Sequence, residues 1–127
     1  MVKTRLLLAC LAFTAPLVPA TASAAPLPAT SLVLSTRSEM GRYSNTTQLI
    51  CEPAGGRHKK AKEACADLAT VDGDFTKLTA SGAMCTMEMN ATKATMRGKW
   101  RGKKVFREET YSNPCVLRVN TGSVFDY

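Results

Sequence analysis

Apolar and polar positions alternate in short runs along most of this chain. Leu32-Val33-Leu34, flanked by Ser and Thr, predicts a first strand, and the Pro- and Ala-rich residues 25–31 predict a flexible lead into it. RSEMGRYSN is polar and contains Gly41, so a turn is expected there. Thr46 to Cys51 predicts a second strand, with Thr46, Gln48 and Ile50 on one face, Thr47, Leu49 and Cys51 on the other, and both faces partly buried. Pro53, Gly55 and Gly56 predict a loop, and Ala61 to Ala69 a short helix with Ala64, Cys65 and Leu68 inward. After a turn at Asp72-Gly73, a short helical turn or irregular segment runs through Leu78. Thr92–Trp100 and Lys103–Tyr111 predict a hairpin turning at Arg101-Gly102. Pro114 ends its second strand because it lacks a ladder donor. VLRVN predicts a brief helical turn and SVFDY a last strand. No internal repeat and no second domain are visible.

One stretch keeps neither period. Met84-Cys85-Thr86-Met87-Glu88-Met89 places three methionines and a cysteine within six residues. Short apolar runs are usually core, and Met is a common gap-filler there. Here, however, the small polar TASGA precedes the run and NATK follows it, a setting that predicts an exposed loop. An exposed apolar segment costs solubility without structural return unless a partner uses it.

The beginning of the chain changes the composition that matters. Lys3 and Arg5, an apolar stretch from Leu6 to about Val18, and A-x-A spacing at Ala20-Thr21-Ala22 and Ala22-Ser23-Ala24 predict a secretory signal peptide over residues 1–24, with cleavage after Ala22 as the alternative. The stretch is too short and too broken by Pro16 and Pro19 for a membrane span, and no later segment qualifies, so a secreted protein without membrane contact is expected. Removing the leader takes away Cys10 and leaves Cys51, Cys65, Cys85 and Cys115, while the formal net charge falls from +7 to +5. Four cysteines in an oxidising compartment predict two disulfides, in any of three pairings. Zinc is the competing use, but no C-x2-C pair occurs and the spacings are long, so no metal is expected.

Catalytic chemistry has little foothold. His58, the single histidine, lies in a Gly- and Lys-rich loop and is expected to be a surface residue. There is no G-x-S-x-G elbow, P-loop or H-E-x-x-H. Asp72 and Asp74 flank Gly73 in a turn, where Asp commonly serves backbone hydrogen bonds. The basic run Arg57-His58-Lys59-Lys60 has no interleaved aromatic to stack a base, so a solvated loop is expected and no nucleic-acid partner. Neither enzymatic activity nor a cofactor is expected.

Taken together, Leu32-Val33-Leu34, Cys51, CADLA from Cys65 to Ala69, Gly73-Asp74 with Leu78, Met84-Cys85-Thr86-Met87, GKWRGKKV from Gly98 to Val105, SNPC from Ser112 to Cys115 and the Val124-Phe125 ending resemble the Streptomyces subtilisin inhibitor family. The resemblance covers residues 32–127 as a single domain. It implies an α+β fold with a five-stranded antiparallel sheet, two short helices, disulfides Cys51-Cys65 and Cys85-Cys115, and a homodimer through sheet faces in which Val33 takes part. It further implies a substrate-like inhibitor of subtilisin-type and chymotrypsin-type serine proteases. The reactive bond would be Met87-Glu88, with Met87 as P1, Thr86 as P2, Cys85 as P3 and Met84 as P4, and with Met89 and Asn90 completing the protease-contact loop. The chain departs from the family at Thr86, where Pro is common, and at Glu88 and Met89, where an apolar residue and an aromatic are more usual. A secreted binding or transglutaminase cross-linking module on the same fold is the other reading, although Gln48, the one glutamine, falls in a predicted strand.

Overall fold

The computed structural model describes residues 13–127. Lys3, Arg5 and Cys10, at the start of the predicted signal peptide, lie outside the described residues. Residues 13–28 form no helix or strand.

The strands are β1 (Thr30–Ser38), β2 (Ser44–Cys51), β3 (Gly55–Gly56), β4 (Thr92–Trp100) and β5 (Lys103–Tyr111), and the helices are α1 (Ala61–Thr70) and α2 (Pro114–Thr121). The strands form one antiparallel sheet in the order β3-β2-β1-β4-β5. Alternation decides its faces. Thr30, Leu32, Leu34, Thr36 and Ser38 of β1 are buried, as are Thr47, Leu49 and Cys51 of β2 and Thr92, Ala94, Met96 and Trp100 of β4. Against that inner face pack Ala64 and Leu68 of α1, Phe75 of a short 3-10 turn, Leu117 of α2, and Val124 and Phe125, all in one core.

The fifth strand is not where the chain's pattern placed it. SVFDY predicted a terminal strand, but Ser123 to Phe125 fold as turns, and Val124 and Phe125 drop into the core with the Phe125 ring edge-on to Phe75 at 4.9 Å. The loop Pro53–Gly56 supplies the strand instead, through Leu49↔Gly56 and Ile50↔Gly55. Gly56 has φ 87°, and a Cβ there would overlap the Gln48 carbonyl, so the close pairing depends on glycine. Two glycines carry no side-chain period, which hides such a strand from pattern reading.

Pro114 also has a different role from the one expected. β5 ends at Tyr111, and Pro114 opens α2, where a missing N–H costs nothing. Asn113 caps that helix by accepting from the Val116 N–H at 2.9 Å.

His58 is likewise not a surface residue. It is 5% exposed. The Lys60 N–H donates to its Nδ1 at 3.0 Å, which leaves Nε2 as the donor to the Val124 carbonyl at 3.0 Å. Its ring meets Tyr127 edge-on at 5.4 Å. The loop carrying it is pinned by the C-terminal segment, and Lys60 reinforces this with an ion pair to Asp126.

Two disulfides close the structure, Cys51 to Cys65 and Cys85 to Cys115. The first ties the end of β2 to α1. The second joins the long connection before β4 to the first turn of α2.

Candidate functional site

Between Leu78 and Ala91 the chain forms no helix or strand. The methionines there are not core: Met84 is 97% exposed, Met87 94% and Met89 79%. A loop of small and apolar residues has little reason to hold one shape, so its fixation must come from outside it.

Fixation comes from several directions. Cys85 is bonded to Cys115, with Cα atoms 5.8 Å apart. Asn113 is 3% exposed, and its Nδ2 group donates to the Thr86 carbonyl at 3.1 Å and the Glu88 carbonyl at 2.9 Å. These are the carbonyls on either side of Met87. Because Asn113 Oδ1 is held at the α2 N-terminus, the amide cannot rotate away without losing the cap. Met87's own carbonyl has no hydrogen-bond partner among the described residues.

The flanks are fixed as well. Asn90, expected as a contact residue, instead turns inward: it is 7% exposed, and its Oδ1 accepts from Ser38 Oγ at 2.7 Å. The polar amide finds its partners within the fold, where an unpaired amide would be costly. Its N–H donates to the Ser112 carbonyl at 3.0 Å and its carbonyl accepts from Thr92 Oγ1 at 2.9 Å. Upstream, the Ser81 N–H donates to the Val119 carbonyl at 2.9 Å. Nearby on β5, burial first and the charge of Glu109 second push the Tyr111 phenol up to about 12, so it stays neutral.

Of the residues singled out in the sequence, Met84, Thr86, Met87, Glu88 and Met89 lie together and exposed on this loop, with Cys85 half-buried beneath. Val33 is half-buried on the outer face of the sheet, between Gln48 and Arg97 in register. Asp72 and Asp74 do not form a carboxylate pair with a free site. Asp72 accepts from Trp100 Nε1 at 3.0 Å, and Asp74 caps the 3-10 turn and meets Arg107 at 3.0 Å. Among the described residues no cluster of three or more His, Cys, Asp or Glu could hold a metal ion, and no helix is long and apolar enough to cross a membrane.

Asn113 is the residue that sequence reasoning missed. Its motif was visible, but its reach was not, since the loop carbonyls it holds lie 25 and 27 residues away. An Asn directly before Pro is a helix-start signal, and that signal finds its position though not its second partner.

Fold and site together define a class: a small disulfide-stapled domain that presents a clamped, exposed peptide segment. The chain belongs to the subtilisin inhibitor-like family, whose model matches residues 28–113. It is 42% identical over 82 residues to protease inhibitor SIL-V5 of Streptomyces luteoverticillatus, covering 62% of this chain and 76% of that relative. A probable subtilase-type protease inhibitor of Streptomyces avermitilis is 38% identical over 103 residues, covering 76% of this chain and 72% of that relative. Among solved structures, Streptomyces caespitosus sermetstatin, crystallised in complex with Bacillus licheniformis subtilisin, matches with a TM-score of 0.62 at 24% identity, over 76% of this chain and 97% of that one. That likeness shows the five-stranded α+β fold.

Proposed function

We propose that this protein is a secreted, substrate-like inhibitor of subtilisin-type and chymotrypsin-type serine proteases whose reactive bond is Met87-Glu88. One observation carries the reading: the Asn113 amide bridges the carbonyls on both sides of an almost fully exposed Met87.

A serine protease seats the P1 side chain in a pocket and attacks the P1 carbonyl over an oxyanion hole. Met87 offers both parts, an unbranched apolar side chain in solvent and a carbonyl without a hydrogen-bond partner among the described residues. Met84 extends the same exposed surface toward the position of P4. Since Asn113 and Cys115 hold the segment before any enzyme arrives, little conformational entropy remains to be lost on binding. Cleavage would leave both new ends in place. The acyl side is held by Cys85, and the amine side by the Glu88 carbonyl on Asn113 and by buried Asn90, so religation competes with hydrolysis.

Signal cleavage after Ala24 and export accompany this reading. So does pairing of two copies through the outer sheet face, where half-buried Val33 supplies an apolar contact.

The P1 assignment is tested by exchanging it. Met87→Lys should lose affinity for subtilisin and chymotrypsin and gain stoichiometric inhibition of trypsin, whose pocket carries a buried carboxylate. A variant that stays folded and gains no trypsin inhibition would refute Met87 as P1.

A further inference from the structure

Glu88 carries the single charge of the exposed loop. It is the only charged residue between Leu78 and Thr92, and it stands among exposed Met84, Thr86, Met87 and Met89. Glu52, Asp74, Glu108 and Asp126 are each engaged by a cation, whereas Glu88 is exposed and takes part in no ion pair among the described residues. The fold itself makes no use of this charge.

Backbone contacts fix where the charge stands. The Glu88 carbonyl accepts from Asn113 Nδ2 at 2.9 Å, and two residues further on the Asn90 N–H donates to the Ser112 carbonyl at 3.0 Å. Only the torsions of the Glu88 side chain remain to move its carboxylate. A protease that closes over the Met87-Glu88 bond therefore meets a negative charge on the residue just past it. Taking a carboxylate out of water without a partner is costly, and setting it against a second carboxylate is worse.

We propose that Glu88 selects the target of the loop, favouring serine proteases that present a lysine or arginine at S1′, the subsite receiving the residue after the cleaved bond, and rejecting those with an acidic S1′. This inference rests on Met87-Glu88 as the reactive bond. The neighbouring side chains complete the description of the partner: Met87 suits an apolar S1 pocket, and exposed Met84 and Met89 suit apolar surface at S4 and S2′. Methionine is flexible and adapts to many apolar pockets, so these contacts supply affinity with little discrimination. A charge held in one place discriminates sharply, because the wrong partner leaves it unpaired or repelled.

The test is a double-mutant cycle read by inhibition constants and dissociation rates. Three forms of subtilisin that differ only in a lysine, glutamine or glutamate at one position lining S1′ are titrated with the parent inhibitor, with Glu88→Gln and with Glu63→Gln. Glu63 is an exposed carboxylate in the first turn of α1, so its substitution changes net charge equally, away from the loop. Both substitutions are at exposed positions and should leave the fold intact, which melting curves check. The parent should bind the lysine form about tenfold or more tightly than the glutamine form, and the glutamate form about tenfold or more weakly, with the difference in the dissociation rate because the pair is desolvated in the complex. Glu88→Gln should bind all three forms within about twofold of one another, the scatter of uncoupled sites, and Glu63→Gln should keep the order of the parent.

An order of affinities unchanged by Glu88→Gln, or changed as much by Glu63→Gln, would overturn the proposal. Equal binding of the parent to all three forms would also overturn it, by showing that the carboxylate stays in water. If Met87→Lys nevertheless gains trypsin inhibition, the reactive bond stands and the selectivity alone falls. A parent that inhibits none of the three forms would overturn both.

Discussion

Cys51–Cys65 and Cys85–Cys115 span almost the same distance, 5.7 Å and 5.8 Å between Cα atoms, in very different surroundings. Cys51 is 1% exposed and packs with Leu49, Ala64 and Leu68, where sheet and helix already hold each other. Cys85 lies in a segment without regular structure, between methionines that stand in solvent. The closed loops of 14 and 30 residues correspond to about 3 and about 4 kcal/mol of chain entropy. Similar energies thus serve different ends. The first bridge reinforces a packed core, while the second, together with Asn113, tethers an unpacked segment, the one proposed to meet a protease.

The sharpest way to break this comparison is to remove the second bridge. In Cys85→Ser/Cys115→Ser stability should fall by about 4 kcal/mol, and because the freed segment must be ordered at the moment of binding, subtilisin affinity should fall by about tenfold or more at temperatures where the variant is folded. Cleavage at Met87-Glu88 should accelerate with it. Inhibition assays and mass spectrometry read both effects. Cys51→Ser/Cys65→Ser should spare the loop: a stability loss of about 3 kcal/mol and a Tm lower by more than about 10 °C, but near-native inhibition at temperatures where the variant is folded. Equal loss of inhibition in both variants would erase the distinction.

Asn113 sharpens the same division within one side chain. Asn113→Asp keeps an acceptor for the Val116 N–H and loses both donors to the Thr86 and Glu88 carbonyls. At about 1 kcal/mol for each hydrogen bond, subtilisin affinity should fall by roughly tenfold or more, and Tm should fall too, because a buried carboxylate oxygen then faces two carbonyls. Asn113→Ala should lower Tm as well, because the cap is lost, by about 1 kcal/mol of stability.

The smallest expected effect is on acid stability, well away from the loop. Burial raises the Asp74 pKa, but hydrogen bonds from Thr76 and Arg107 and the Arg107 charge outweigh it and hold the carboxyl below its ordinary value of 3.8. A carboxylate with a depressed folded-state pKa stabilises the protein above the unfolded value and loses that contribution as pH falls through the folded one. Tm should therefore drop as pH falls below about 4. In Asp74→Asn the drop should be shallower, and melting curves from pH 6 to pH 2 measure it, with inhibition at neutral pH unchanged.

The parts of the molecule legible in its sequence are those whose determinants are local. The hairpin Thr92–Tyr111 follows from two period-2 runs around Arg101-Gly102, whose φ values of 46° and 83° suit a tight hairpin turn. The exposure of the methionine run followed from its small polar neighbours. What remained hidden depends on distant partners. The glycine strand β3 is defined only by its register with β2. His58 is buried where the Val124 carbonyl, 66 residues away, accepts a hydrogen bond from its Nε2–H. The terminal SVFDY has strand-forming composition, yet no strand edge receives it, and α2 delivers Val124 and Phe125 directly into the core. Asn113 joins two segments that no short window contains together.

In the proposed function, Asn113 and the Cys85–Cys115 bridge hold the segment around Met87 in a form that a protease binds but scarcely turns over. Titrating subtilisin with the purified protein, while mass spectrometry follows the inhibitor, tests this most directly. Activity should be lost at one inhibitor chain per enzyme, with most of the inhibitor intact and any cleavage confined to Met87-Glu88. Rapid turnover at that bond, inhibition with cleavage elsewhere, or full residual activity at excess inhibitor would contradict it.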